Sequence, residues 1–138
     1  MSLHLGSEMI PYDMDLQRPE GTESKITARF VHGVGFTLAF WKFKPGAKIP
    51  EHKHLHETAT SVLQGSLRLT VDGRTLYLHA GDTFIIPSWA VHHAEALEDS
   101  EVLDVYTPVR EDYVARQNGV TETYLTRSQR ADQIDGEP

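Results

Sequence analysis

Eight histidines occur in this 138-residue chain, and five of them fall in two short clusters, His52-x-His54-x-His56 and His92-His93. Imidazole is the commonest side-chain ligand for transition metals. His52 and His54 are two residues apart, and on a strand such residues point to one face. Both rings can then serve one ion. His92 opens a later strand after the turn at Pro87, and in an antiparallel barrel it can lie beside the first pair and face the same interior. Three convergent imidazoles suit Fe(II), Zn, Ni, Cu or Mn and leave positions for water or substrate, as catalytic sites need. The plainer alternative is a set of exposed polar residues. The second cluster in a strand-rich chain weighs against it.

Asp104 interrupts the apolar run Val102–Tyr106. It either stands on a solvated outer face or points inward with Val102 and Tyr106, and the pattern does not choose. An inward carboxylate near a metal is a candidate general base, its pKa set by burial and nearby positive charge. Arg110 can clamp a substrate carboxylate through two parallel hydrogen bonds, or it can pair with Glu111 or Asp112 at the surface.

The elements that must position these groups read as strands. Ile26, Ala28 and Phe30 alternate with Lys25, Thr27 and Arg29, and the segment from Phe36 to Phe43 is rich in aromatics, which suits a strand. Pro45-Gly46, Gly65 and Ala80-Gly81-Asp82 mark turns. Leu67, Leu69 and Val71 alternate up to Asp72-Gly73, a strong hairpin signal, and Leu76 and Leu78 alternate after it. Residues 92–97 and 101–107 make a last pair. Eight to ten short strands with closely spaced turns predict a β-sandwich or barrel. Only 111–117 can make a short helical turn. The expected organisation is an N-terminal arm over 1–22, a barrel over 23–117, and a C-terminal extension over 118–138 that frays from about 128.

Composition bounds the function. The length fits one domain. Cysteine is absent, which excludes disulfides, a zinc ribbon and a thiol nucleophile. Thirteen Lys and Arg face twenty Asp and Glu, for a formal charge of −7, so neither nucleic acid nor an anionic membrane is an expected partner. No apolar run approaches a membrane span, and no signal-like segment opens the chain. A cytoplasmic protein is expected.

Gly46, five residues, His52-x-His54 and the later Gly65 resemble the first motif of the cupins. Gly81, five residues, Pro87 and then His92 resemble the second. The resemblance implies an all-β, double-stranded β-helix (jelly-roll) barrel with one divalent transition metal inside (Zn, Ni, Mn or Fe), and His52, His54 and His92 as its ligand positions. Thr58 stands where the motif supplies Glu or Gln, so a three-histidine site completed by water is expected. His56 has the parity to face inward, Glu57 and His93 should face away, and Trp89 stands where the motif usually has Gly.

The run from Asp104 to Tyr113, with His-x-His-x-His-Glu before it, is similar to the small cupins of pectin and alginate breakdown, which linearise unsaturated uronates. That resemblance implies a catalytic role for Asp104 and a substrate-binding role for Arg110. It implies an isomerase- or lyase-like enzyme acting on a small acidic, carbohydrate-derived substrate. The alternatives are a three-histidine iron dioxygenase, favoured by the missing Glu or Gln, and a non-catalytic ligand-binding or sensor cupin. Small cupins commonly pair through outer strands, so a homodimer is expected, with Trp41 as an exposed aromatic at the contact together with the N-terminal arm.

Overall fold

A computed structural model describes residues 11–117. The first part of the expected N-terminal arm and the expected extension over 118–138 lie outside the described residues. The described strands are β1 (Tyr12–Asp13), β2 (Ile26–His32), β3 (Thr37–Phe43), β4 (Lys48–His52), β5 (Glu57–Gln64), β6 (Ser66–Val71), β7 (Arg74–His79), β8 (Thr83–Ile86), β9 (His92–Ala96) and β10 (Ser100–Thr107). A short helix, α1 (Glu111–Gln117), follows β10.

The strands form two antiparallel sheets. One runs β1-β2-β3-β10-β5-β8 and the other β4-β9-β6-β7. The first motif therefore straddles both sheets: β4 lies in the smaller one and β5 in the larger. The inward faces meet in a core that includes Ile26, Phe30, Trp41, Val62, Leu69 and Val102. Burial alternates along β2 and β3, as expected for strands with one face on a core. On β3 the buried residues are Thr37, Ala39, Trp41 and Phe43.

Trp41 is therefore not an exposed dimer-contact residue, contrary to the reading of its sequence. It is only 7% exposed. Leu38 and Phe40 make the other face of β3 apolar too, so alternation could not decide which face is the core. On that outer face Arg29 covers the Phe40 ring at 5.5 Å, a cation–π contact that lets an aromatic stand outside the core.

Gly65, which closes the first motif, has φ +89°, and a Cβ there would collide with Asp99 O and Ser100 Oγ. Only glycine fits both the conformation and the close approach. Trp89 also has a left-handed φ, +66°, which accounts for the glycine usual at that place.

Candidate metal centre

His52 and His92 lie directly opposite each other across β4 and β9, beyond a register shift between Ile49 and His52. Their ring centroids are 4.1 Å apart. His54 lies past the end of β4, in the connection to β5, so strand parity alone does not bring it in. Two bonds hold that connection: Trp89 N donates to His54 O at 2.8 Å, and Ser88 Oγ donates to Leu55 O at 2.5 Å. The His54 ring then stands 5.3 Å from His52 and 5.0 Å from His92. One ligand atom from each of the three lies within 4.8 Å of the others.

Each of these imidazoles has its Nδ1 on a backbone carbonyl: His52 on Pro50 O at 2.8 Å, His54 on His56 O at 3.1 Å, and His92 on Ala90 O at 2.8 Å. A carbonyl only accepts, so Nδ1 carries the proton and Nε2 keeps its lone pair. Fixing the tautomer through the second nitrogen is how ligand histidines are prepared. Burial lowers the pKa of all three, that of His54 to about 3, with the Arg110 charge as the next cause at His54. Neutral rings with free Nε2 atoms are the form a cation needs, so this donor set fits a transition metal.

His56 is buried and has the inward parity, but its Nε2 donates to Val109 O at 3.3 Å. It uses the opposite nitrogen and does not belong to the three-histidine group. Thr58 also faces inward and its Oγ1 is buried without a partner among the described residues. His93 and Glu57 are exposed.

Asp104 points inward, which resolves the open question of its face. It lies across from Thr60 on β5 and Ala39 on β3. With His52, His92, Thr58, Tyr106 and Trp41 it lines an interior cavity of about 80 Å³, room for roughly two or three waters. Tyr106 Oη donates to Asp104 Oδ2 at 3.0 Å. Burial pushes the Asp104 carboxyl up to about 6, against the opposing pull of Thr60, Tyr106 and Trp41.

Arg110 is buried. Its Nε and Nη2 donate to the two carboxylate oxygens of Asp112, at 3.0 and 2.7 Å. Its guanidinium lies 4.7 Å from the Tyr106 ring centre and 4.0 Å from that of Tyr113. Its backbone N–H donates to Thr37 Oγ1 at 2.9 Å. The pairing with Asp112 is thus real but internal; the guanidinium faces the Tyr106 ring, which meets the His54 ring at 5.9 Å, and Arg110 lines neither the interior cavity nor the cleft beside it. Sequence reasoning missed Trp41, Tyr113 and Thr37 as parts of this region, whereas Tyr106 entered it only as a residue that an inward Asp104 would accompany. Thr37 and Trp41 share one parity on β3, but with Trp41 read as exposed that parity gave no signal.

A larger cleft of about 860 Å³ lies between the segment from Met14 to Glu23 and β4. It shares Trp41, Ile49, His52 and Tyr113 with the interior cavity. Of the three histidines, His52 lines this cleft.

The cupin domain family matches residues 39–106. A comparison with the curated proteins finds no match. Among solved structures, KdgF from Halomonas sp. is 32% identical with a TM-score of 0.63, over 68% of this chain and 88% of that one. An RmlC-like cupin from Shewanella frigidimarina is 24% identical with a TM-score of 0.68, over 81% and 96%. Salicylate 1,2-dioxygenase from Pseudaminobacter salicylatoxidans is 18% identical with a TM-score of 0.59, over 67% of this chain but 29% of that one. The last two share the fold alone. With motif spacing, jelly-roll topology and the likeness to KdgF in agreement, the chain belongs to the cupin family.

Proposed function

We propose that this cupin is a metal-dependent isomerase- or lyase-like enzyme acting on a small acidic, carbohydrate-derived substrate, an unsaturated uronate being the best-fitting class. His52, His54 and His92 are the proposed ligands of one divalent transition metal, Asp104 the group that moves a proton, and Arg110 the cation nearest the substrate carboxylate. The observation that carries the reading is the position of Asp104. A carboxylate with its pKa raised to about 6 lines the same interior cavity as two of the three imidazoles.

Opening a 4,5-unsaturated uronate takes the proton from the anomeric hydroxyl, forms the C1 carbonyl and breaks the bond from C1 to the ring oxygen. The electron pair leaves on that oxygen, and a proton added at C4 completes the keto product. A group titrating near 6 can accept and return such a proton near neutral pH. A bound metal would supply Lewis-acid polarisation of a substrate oxygen. Asp112 already occupies two donors of Arg110. Arg110 is therefore proposed to act on an anion through its field, which reaches His54. Burial disfavours its charge, but Tyr113 and Asp112 outweigh that and hold it protonated.

Anaerobic turnover of an unsaturated uronate by metal-loaded protein, followed by loss of the absorbance of the unsaturated bond, is the direct test. Absence of turnover with every divalent ion tried would overturn the reading. The all-histidine donor set favours a second reading, an iron dioxygenase. It requires oxygen uptake with an aromatic, diketone or thiol substrate, and no anaerobic reaction.

Thr58 supplies a further prediction. Thr58→Glu is expected to tighten zinc binding by about tenfold or more, because a carboxylate joins three imidazoles. The same change should lower the Tm of the metal-free protein, since the new carboxylate is buried without a partner. Titration calorimetry and melting curves with and without zinc read the two effects.

A further inference from the structure

Trp41 and Asp104 occupy neighbouring strands on the same inward face. In the β3–β10 register, Asp104 lies opposite Ala39 and Trp41 lies opposite Val102. The two are therefore diagonal neighbours, a separation that an aromatic side chain spans. Ala39 offers only a methyl group, so it leaves the space beside the carboxylate to the indole. Three rings fix that indole. It stacks on Phe43 at 5.8 Å with planes 6° apart, and it meets Phe30 and Tyr113 edgewise, both at 6.3 Å.

Two buried polar atoms stand without hydrogen-bond partners among the described residues here: Trp41 Nε1, a donor only, and Asp104 Oδ1, an acceptor when ionised. Both residues line the interior cavity. An orphaned donor beside an orphaned acceptor is costly unless the two meet. Hydrogen bonds of catalytic groups are often long or misaligned without ligand and tighten on binding.

We propose that Trp41 is a positioning residue for Asp104: its indole N–H donates to Oδ1 of the ionised carboxylate and, with Tyr106 Oη on Oδ2, fixes the carboxylate plane toward the cavity. The catalytic consequence rests on the proton-moving role of Asp104 proposed above; the hydrogen bond itself does not. The other groups around the carboxylate are Thr60 across on β5, Tyr106 on its own strand, Tyr113 on α1, Arg110 just before α1, and His52 and His92 across the cavity. Trp41 is among those that favour the ionised form.

The chain has only two tryptophans, Trp41 and Trp89, so a proton–nitrogen correlation spectrum holds two indole resonances, assigned with Trp41→Phe. The full chain is used with one equivalent of zinc, a diamagnetic ion. The Trp41 resonance is expected to move with a midpoint near that of Asp104 and to shift at about pH 7.5 in Asp104→Asn, while Trp89 stays fixed. In the activity arm, Trp41→Phe keeps the ring packing and is expected to lower kcat about tenfold with KM within about twofold, and to move the acid limb of kcat to higher pH. A packing role alone would leave that limb in place. If Trp41→Phe misfolds, replacement by 3-benzothienylalanine removes the N–H and keeps the shape. A Trp41 resonance indifferent to Asp104→Asn overturns the proposal. Lack of any uronate turnover, with the resonance behaving as expected, overturns the functional reading and leaves the hydrogen bond standing.

Discussion

Asp104→Asn is expected to lower uronate turnover by about 100-fold or more, the scale of a lost general acid–base group, while making the protein harder to unfold at neutral pH. The two effects share a cause. The folded protein holds the Asp104 proton up to about pH 6, whereas the same carboxyl in the unfolded chain has its ordinary pKa of 3.8. Between those values the folded state binds more protons, so stability falls as pH rises through the window. The full difference above it is about 3 kcal/mol. Asparagine has the same shape and no charge, and it removes this cost. Its amide leaves part of the local hydrogen bonding unmatched, so a net gain of about 1–3 kcal/mol is expected, or roughly 3–10 °C in Tm. The gain should shrink as pH drops and vanish near pH 4, where wild-type Asp104 is protonated as well. Melting curves of both proteins at several pH values, beside uronate assays at pH 7.5, check this. An active Asp104→Asn enzyme would remove Asp104 from the mechanism. An inactive variant that is also less stable at neutral pH would make the carboxylate structural.

The barrel was legible because its strands are short and its turns carry their own chemistry. Asp72-Gly73 between two alternating runs became the β6–β7 hairpin, with Val71 opposite Arg74. The alternation of Ile26, Ala28 and Phe30 became the buried face of β2. β3 was read less well because both of its faces carry apolar residues, and with them went the location of Trp41. Alternation identifies a face only when the other face is polar.

The grouping of the histidines was legible for a partly different reason from the one the sequence suggested. The β4–β9 pairing, past a register shift, sets His52 opposite His92, and His54 is placed by a loop tied to Trp89 and Ser88. The fate of His56 depended on a carbonyl fifty-three residues away, Val109 O, which no local pattern encodes. The same holds for Arg110. Its spacing from Asp112 permitted a surface pair, and only the Tyr106 and Tyr113 rings, brought together by β10 and α1, make that pair internal. Side chains whose partners are far along the chain were the ones the sequence left open.

The double change His52→Ala/His92→Ala is expected to reduce bound metal from near one per chain to less than about a tenth, in protein purified without a metal-affinity step. Loss of an outer hydrogen bond already costs a metal site about 10–100-fold in affinity, and removing two of three direct donors should exceed that. His56→Ala and His93→Ala serve as the contrast. His56 has its Nε2 on Val109 O and His93 is exposed, so both should keep the metal. A ligand that binds only the folded state stabilises it by about 2.7 kcal/mol at 100 times Kd. Added zinc should therefore raise the Tm of wild type and of the two single variants, and leave the double variant unchanged. The response to acid follows from the same rings. Burial lowers their pKa values below the ordinary 6.5, that of His54 to about 3. The unfolded chain then takes up more protons, and metal-free stability falls as pH drops below 6.5. In the double variant two of these buried neutral rings are gone, so its acid limb should be shallower than that of metal-free wild type. Equal metal content in wild type and the double variant would place the ion elsewhere and remove the ligand assignment on which the proposed chemistry depends.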